Sequence, residues 1–127
     1  MNLEIAQTNT SPAVSADWES GRILIRGDSY PENSFELYHP LIKWVEAFLA
    51  GLDRPLRLEL ELLYMNTSSV RVLMDILDLL ESAFQKGRDV GVSWRYDIGN
   101  ERVAELAVEF KEDCTFPFDI TARTEPA

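Results

Sequence analysis

The chain has 127 residues and a mass of 14.5 kDa, the size of one domain that can bury a core without metal or disulfide staples. Its 12 Lys plus Arg against 22 Asp plus Glu leave a formal charge of −10. That balance argues against a nucleic-acid or anionic-membrane surface, both of which need clustered cations. A hydrophobic fraction of 46% fits a folded globule and not a disordered acidic tail.

Cys114 and His39 are single representatives of their types, so neither an internal disulfide nor a zinc cluster with the usual spacing can form. Met1-Asn2-Leu3-Glu4 leads into mostly polar residues, and no apolar run approaches the ~18 residues of a membrane span. The expected compartment is the cytoplasm. Ala13 to Trp18 and Arg22 to Arg26 read as two strands of a hairpin, joined by Glu19-Ser20-Gly21. Gly27 to Asn33 is dense in turn formers and predicts a loop.

The first helix is expected to begin at Asn33 or Ser34, where Asn33 and Glu36 have capping-box spacing. Leu37, Leu41, Val45 and Phe48 form its apolar stripe, widened by Tyr38, Ile42 and Leu49, and Gly51 ends it. Pro40 implies either a kink or a regular helix that starts only there. Leu56, Leu58, Leu60 and Leu62 alternate with Arg57, Glu59 and Glu61, a strand with one buried face. Asn66-Thr67-Ser68-Ser69 starts a second helix, whose stripe runs through Val72, Leu73, Ile76, Leu77, Leu80 and Phe84 to Gly87. Val90 to Tyr96 alternates again. Val103, Leu106, Ala107, Phe110 and Cys114 share one face of a third helix, and Phe116, Phe118 and Ile120 close the chain as a strand.

The order β-β-α-β-α-β-α-β predicts an α/β domain with a mixed sheet of about five strands, its parallel members joined by right-handed crossovers. Because the strands alternate, the three main helices should lie mainly on one face. Arg57, Glu59, Glu61 and Arg95 are then left for cross-strand ion pairs on the other. Residues 1–10 and 122–127 are expected to be frayed.

Catalytic chemistry finds little support. No nucleophile elbow accompanies His39, no glycine-rich phosphate loop is present, and Cys114 sits on an apolar face beside Glu112 and Asp113. Arg22 and Arg26 have the spacing of half a PilZ dinucleotide motif, but Asn66 to Arg71 lacks the glycine of the other half. No cofactor is implied. The three hydroxyls of Thr67, Ser68 and Ser69 stand out instead. One would suffice as a helix cap, and a phosphoryl group on one of them would sit at a helix N-terminus that tolerates negative charge.

A β-α alternation with a hydroxyl-rich turn before the second helix resembles the STAS-like anti-sigma-factor antagonists. More specifically, Gly27 to Asn33, Leu62 to Ser69, Asn100 to Leu106 and Phe116-Pro117-Phe118 resemble the SiaC family of biofilm-regulation phosphoproteins. The resemblance implies a STAS-like fold and a non-catalytic partner switch, with Thr67 as the regulatory residue. It implies a dedicated protein kinase, a PP2C-type phosphatase, and a diguanylate cyclase that the unphosphorylated form binds and activates. The alternative is a STAS-type antagonist acting on transcription through an anti-sigma factor. The expected partner surface is the start and outward side of the second helix: Asn66, Ser68, Ser69, Arg71 and Asp75.

Overall fold

The computed structural model describes residues 1–51 and 53–124. In chain order the elements are β1 (Leu3–Ile5), β2 (Ala13–Asp17), β3 (Arg22–Ser29), α1 (Ser34–Ala50), β4 (Leu56–Met65), α2 (Thr67–Gln85), β5 (Val90–Asp97), α3 (Glu101–Glu112) and β6 (Phe118–Arg123). They form one six-stranded sheet in the order β1-β2-β3-β4-β5-β6. The first three strands pair antiparallel and β3 to β6 pair parallel. Each parallel strand is followed by its immediate neighbour, always in the same direction across the sheet. Crossovers of one hand therefore place all three helices on one face.

That face holds the core. Leu58 lies opposite Ile23 and Val92, and Leu60 opposite Ile25 and Trp94. The row meets Leu41, Val45 and Phe48 of α1, Val72 and Ile76 of α2, and Ala107 and Phe110 of α3. Each fully buried Leu or Ile here contributes about 1.5–3 kcal/mol, which explains why the alternating leucines of β4 fix its register. The turn between β2 and β3 depends on Gly21, with φ +68°, where a Cβ would lie 2.2 Å from the Pro55 carbonyl oxygen.

Three expectations change. The sheet has six strands, because β1 pairs with β2 through Leu3↔Ala16 to Ile5↔Val14. The first ten residues are thus not frayed: Thr8 Oγ1 and Ser11 Oγ lie 2.6 Å apart, and the Tyr30 N–H donates to the Thr10 carbonyl at 2.8 Å. β6 likewise reaches Arg123, while residues 125–127 of the supposed frayed end lie outside the described residues. Gly27 to Ser29 continue β3 in place of a loop. There Gly27 pairs with Leu62 but Asp28 with Tyr64, so Leu63 is the extra residue of a bulge. One expectation holds: α1 starts at Ser34 behind the Asn33 cap, and of the two readings of Pro40 the helix runs through it. The Asn33 cap and the burial of Leu41, Val45 and Phe48 outweigh the ~3 kcal/mol that an interior proline costs.

Candidate functional site

All three helices begin on asparagine, each at the end where the parallel strands finish. The Oδ1 atoms of Asn33, Asn66 and Asn100 accept from the N–H groups of Glu36, Ser69 and Val103 at 3.0, 2.9 and 3.3 Å. The cap of α2 is therefore Asn66, and neither Thr67 nor Ser68 serves in that role. Asn66 does more than cap. Its Nδ2 donates to the Pro31 carbonyl at 3.2 Å and its backbone N–H to the Ser29 carbonyl at 2.9 Å, fastening the helix start to the β3–α1 loop.

The three hydroxyls that follow divide sharply. Ser69 is 1% exposed. Its Oγ lies 2.8 Å from Ser29 Oγ and 3.1 Å from Ser34 Oγ, and Ser29 Oγ lies 2.6 Å from the Tyr38 hydroxyl. Burial raises the Tyr38 phenol above its ordinary pKa, with the Ser29 hydrogen bond opposing, so Tyr38 stays a neutral partner in this buried network. Ser68 is half-buried, 2.7 Å from Ser34 Oγ and donating to Asn66 Oδ1 at 3.2 Å. Thr67 alone is exposed, and among the described residues its hydroxyl has no hydrogen-bond partner. Ser69 is thus corrected from a partner contact to an internal fastening. Its position three before Val72 and four before Leu73 places it on the apolar stripe, a signal already present in the sequence.

Thr67 lines a surface cavity of about 370 Å³ between the end of β4 and the first turns of α2 and α3. Leu63, Tyr64, Met65 and Val70 contribute its apolar walls, and Arg102, Glu105 and Glu109 its charges. The bulge sets this wall: Leu63 and Tyr64 are 39% and 46% exposed. Tyr64 meets Tyr30 edge-on with ring centroids 5.8 Å apart. Exposed Tyr30, Phe35 and Ile98 extend the apolar rim around the same end of the sheet. None of these rim residues follows from helical or strand periodicity, since each lies in a bulge, a loop or a first turn. Arg71 and Asp75 are exposed on α2, and no ion pair joins them.

The remaining singled-out residues lie apart from this site. His39 is exposed on α1. Cys114 packs against the core just beyond α3, and burial, reinforced by Glu81, Asp113 and Asp78, pushes its thiol up to about 11. It therefore stays protonated and unreactive near neutral pH. Arg22 pairs with Glu59 at 2.6 Å and Arg26 with Glu61 at 3.7 Å on the open sheet face. No group of His, Cys, Asp or Glu among the described residues is arranged to hold a metal ion. No helix there is long and apolar enough to cross a membrane.

The class of protein that this one-sided α/β domain matches is the regulatory phosphoproteins. Within that class the chain belongs to the SiaC family, since the family model described as SiaC family regulatory phosphoprotein matches residues 5–123. The chain is 56% identical to apo-SiaC from Pseudomonas aeruginosa in its crystal structure, with a TM-score of 0.92, covering 96% of this chain and 99% of that one. It is 60% identical, with a TM-score of 0.93, to a chain in the crystal structure of the diguanylate cyclase SiaD in complex with its activator SiaC from Pseudomonas aeruginosa, covering 95% and 99%. A Pseudomonas aeruginosa (strain UCBPP-PA14) protein described as uncharacterized is 59% identical over 98% of both chains.

Proposed function

We propose that this protein is a non-catalytic activator of a diguanylate cyclase, raising cyclic di-GMP and favouring biofilm formation in the cytoplasm. Docking occurs while Thr67 carries a free hydroxyl. A cognate protein kinase replaces the hydroxyl proton with a phosphoryl group and ends docking, and a PP2C-type phosphatase hydrolyses that group and restores it. The observation that carries the reading is the division of hydroxyls at the start of α2: Thr67 open beside an apolar rim, Ser69 sealed within the core. The activator role of the related SiaC in its cyclase complex supports the choice of partner.

The docking surface is the rim itself, with Leu63, Tyr64 and Tyr30 as apolar anchors and Asn66, Ser68, Arg71 and Asp75 at its margin. A dianion placed among the anchors must be desolvated when the partner docks, and about 1.4 kcal/mol of penalty already weakens binding tenfold. The free protein needs no refolding for this. The test measures cyclic di-GMP production by the cyclase with the unmodified protein, the kinase-treated protein and Thr67→Ala. Activation by the first, loss in the second and resistance of the third to kinase treatment are expected. Undiminished phosphate incorporation in Thr67→Ala would remove Thr67 from its role. Capture of an anti-sigma factor in place of a cyclase would assign the switch to transcription.

A further inference from the structure

Among the described residues, two arginines near Thr67 have no partner. Arg71 lies four residues along the same helix, and Arg102 lines the Thr67 cavity from α3. Neither makes an ion pair or hydrogen bond among the described residues, whereas every other arginine there does. An unpaired arginine is unusual in a chain where carboxylates outnumber cations by 22 to 12.

The topology brings them together. α2 and α3 both return between parallel strands, so they run in the same direction with their first turns side by side. The cavity lining gives the level: Thr67 and Val70 on one wall, Arg102, Val103 and Leu106 on the other. Further down, Met74 and Leu77 share a smaller cavity with Phe110. The carboxylates in the Thr67 cavity, Glu105 and Glu109, stand one and two turns beyond Arg102 on α3. At ~1.5 Å rise per residue, Glu109 is about 10 Å from Arg102 along the axis, and Asp75 about 12 Å from Thr67 along α2. Glu105 is closer, about 4.5 Å from Arg102 along the axis, so Arg102 is the charged lining residue nearest the start of α3, as Thr67 is the lining hydroxyl nearest the start of α2.

We propose that Arg71 and Arg102 clamp the phosphoryl group of phosphorylated Thr67. The inactive state is then an internal ion cluster across the mouth of the cavity, and not a bare dianion. This rests on the reading of Thr67 as the modified residue. A phosphoryl group offers three acceptor oxygens and ~1.5–2 negative charges, and guanidinium forks meet such oxygens in pairs. Forming the clamp draws Arg102 over the apolar wall and withdraws Arg71 from any partner. One modification therefore both closes the cavity and removes a docking charge.

The experiment places phosphothreonine at position 67 during translation, independently of any kinase, and follows its second ionisation by phosphorus NMR. In the otherwise unaltered protein the midpoint should fall below the usual value of about 6. R71Q and R102Q should each raise it by about 0.3–0.5 unit, and the double variant by about their sum. R102K should recover part of the shift, because a lysine keeps the charge without the fork. A midpoint that the double variant leaves unchanged overturns the clamp, including the case in which the helix start alone lowers it. Mapping of the kinase-modified residue is a separate measurement: a kinase that leaves Thr67 bare removes the switch and leaves the titration result standing.

Discussion

The open face of the sheet and the start of α2 treat charge in opposite ways. On the sheet, Glu61 is only 6% exposed and binds Arg95 at 2.7 Å and Arg123 at 2.5 Å. Arg26 approaches the same carboxylate at 3.7 Å, and Arg123 also reaches Asp97 at 2.7 Å. Four strands are tied through one carboxylate. At the start of α2, Arg71, with Arg102 of the neighbouring α3, makes no ion pair among the described residues and lies near an exposed hydroxyl and exposed aromatic rings. Charge satisfied internally marks the scaffold, and charge left open beside apolar surface is what the proposed docking surface requires.

Tyr64 tests the recognition side most strongly. Tyr64→Ala should weaken cyclase binding about 100-fold, as expected for a truncated aromatic anchor, while leaving the urea midpoint unchanged. Calorimetric titration paired with a denaturation curve reads both, and an equal loss of stability would move Tyr64 to the scaffold. Glu61→Ala probes the other side. It leaves Arg26 and Arg95 without their carboxylate and Arg123 with Asp97 alone, and should lower unfolding free energy by about 2 kcal/mol, with cyclase affinity intact. Reduced affinity at an unchanged urea midpoint would reverse the comparison.

Asn66→Ala lies between the two regions. It removes the α2 cap and the link to Pro31, and should cost about 1 kcal/mol by thermal unfolding. If the loosened start of α2 is also the docking surface, cyclase affinity should fall with it. The smallest effect is expected at the far end of α2. The Thr115 N–H and hydroxyl donate to Glu81 at 2.7 and 2.6 Å, and these bonds, with Gln85, hold its carboxyl below the ordinary pKa. A depressed folded value gives stability that is complete above the unfolded pKa and lost as pH falls through the folded one. Glu81→Gln should therefore make stability slightly less sensitive to acid, and an unchanged acid limb in pH-dependent melting would show that Glu81 contributes nothing.

Much of the fold is legible in the chain because its periods are clean. Leu56 to Leu62 could face the core in only one register, and the stripe from Val72 to Leu80 fixes the phase of α2. β1 is not legible, since three residues at a sheet edge carry too short a pattern. The bulge at Leu63 is hidden for a related reason: an extra residue in a leucine-rich strand looks like more strand. At the site, Thr67 is picked out by type and position. Arg102 and Tyr30 come to it only through the packing of separate elements, which local periodicity does not encode. Glu61 is misleading in the other direction: it sits on the outward side of its strand, where alternation predicts hydration, and is buried by arginines from three other strands.

The aromatic cluster at the opposite end of the sheet has an optical consequence. Trp18 meets Trp44 and Phe48 edge-on at 5.5 and 5.2 Å, and Trp94 stacks on Phe110 at 5.6 Å within the core. No tryptophan lines the Thr67 cavity. Indole emission from this protein should follow global unfolding closely and stay silent when the cavity is occupied or Thr67 is modified. Docking confined to this cavity should then leave the protein's own emission constant, which makes it an unlabelled titrant with a steady background that can be subtracted.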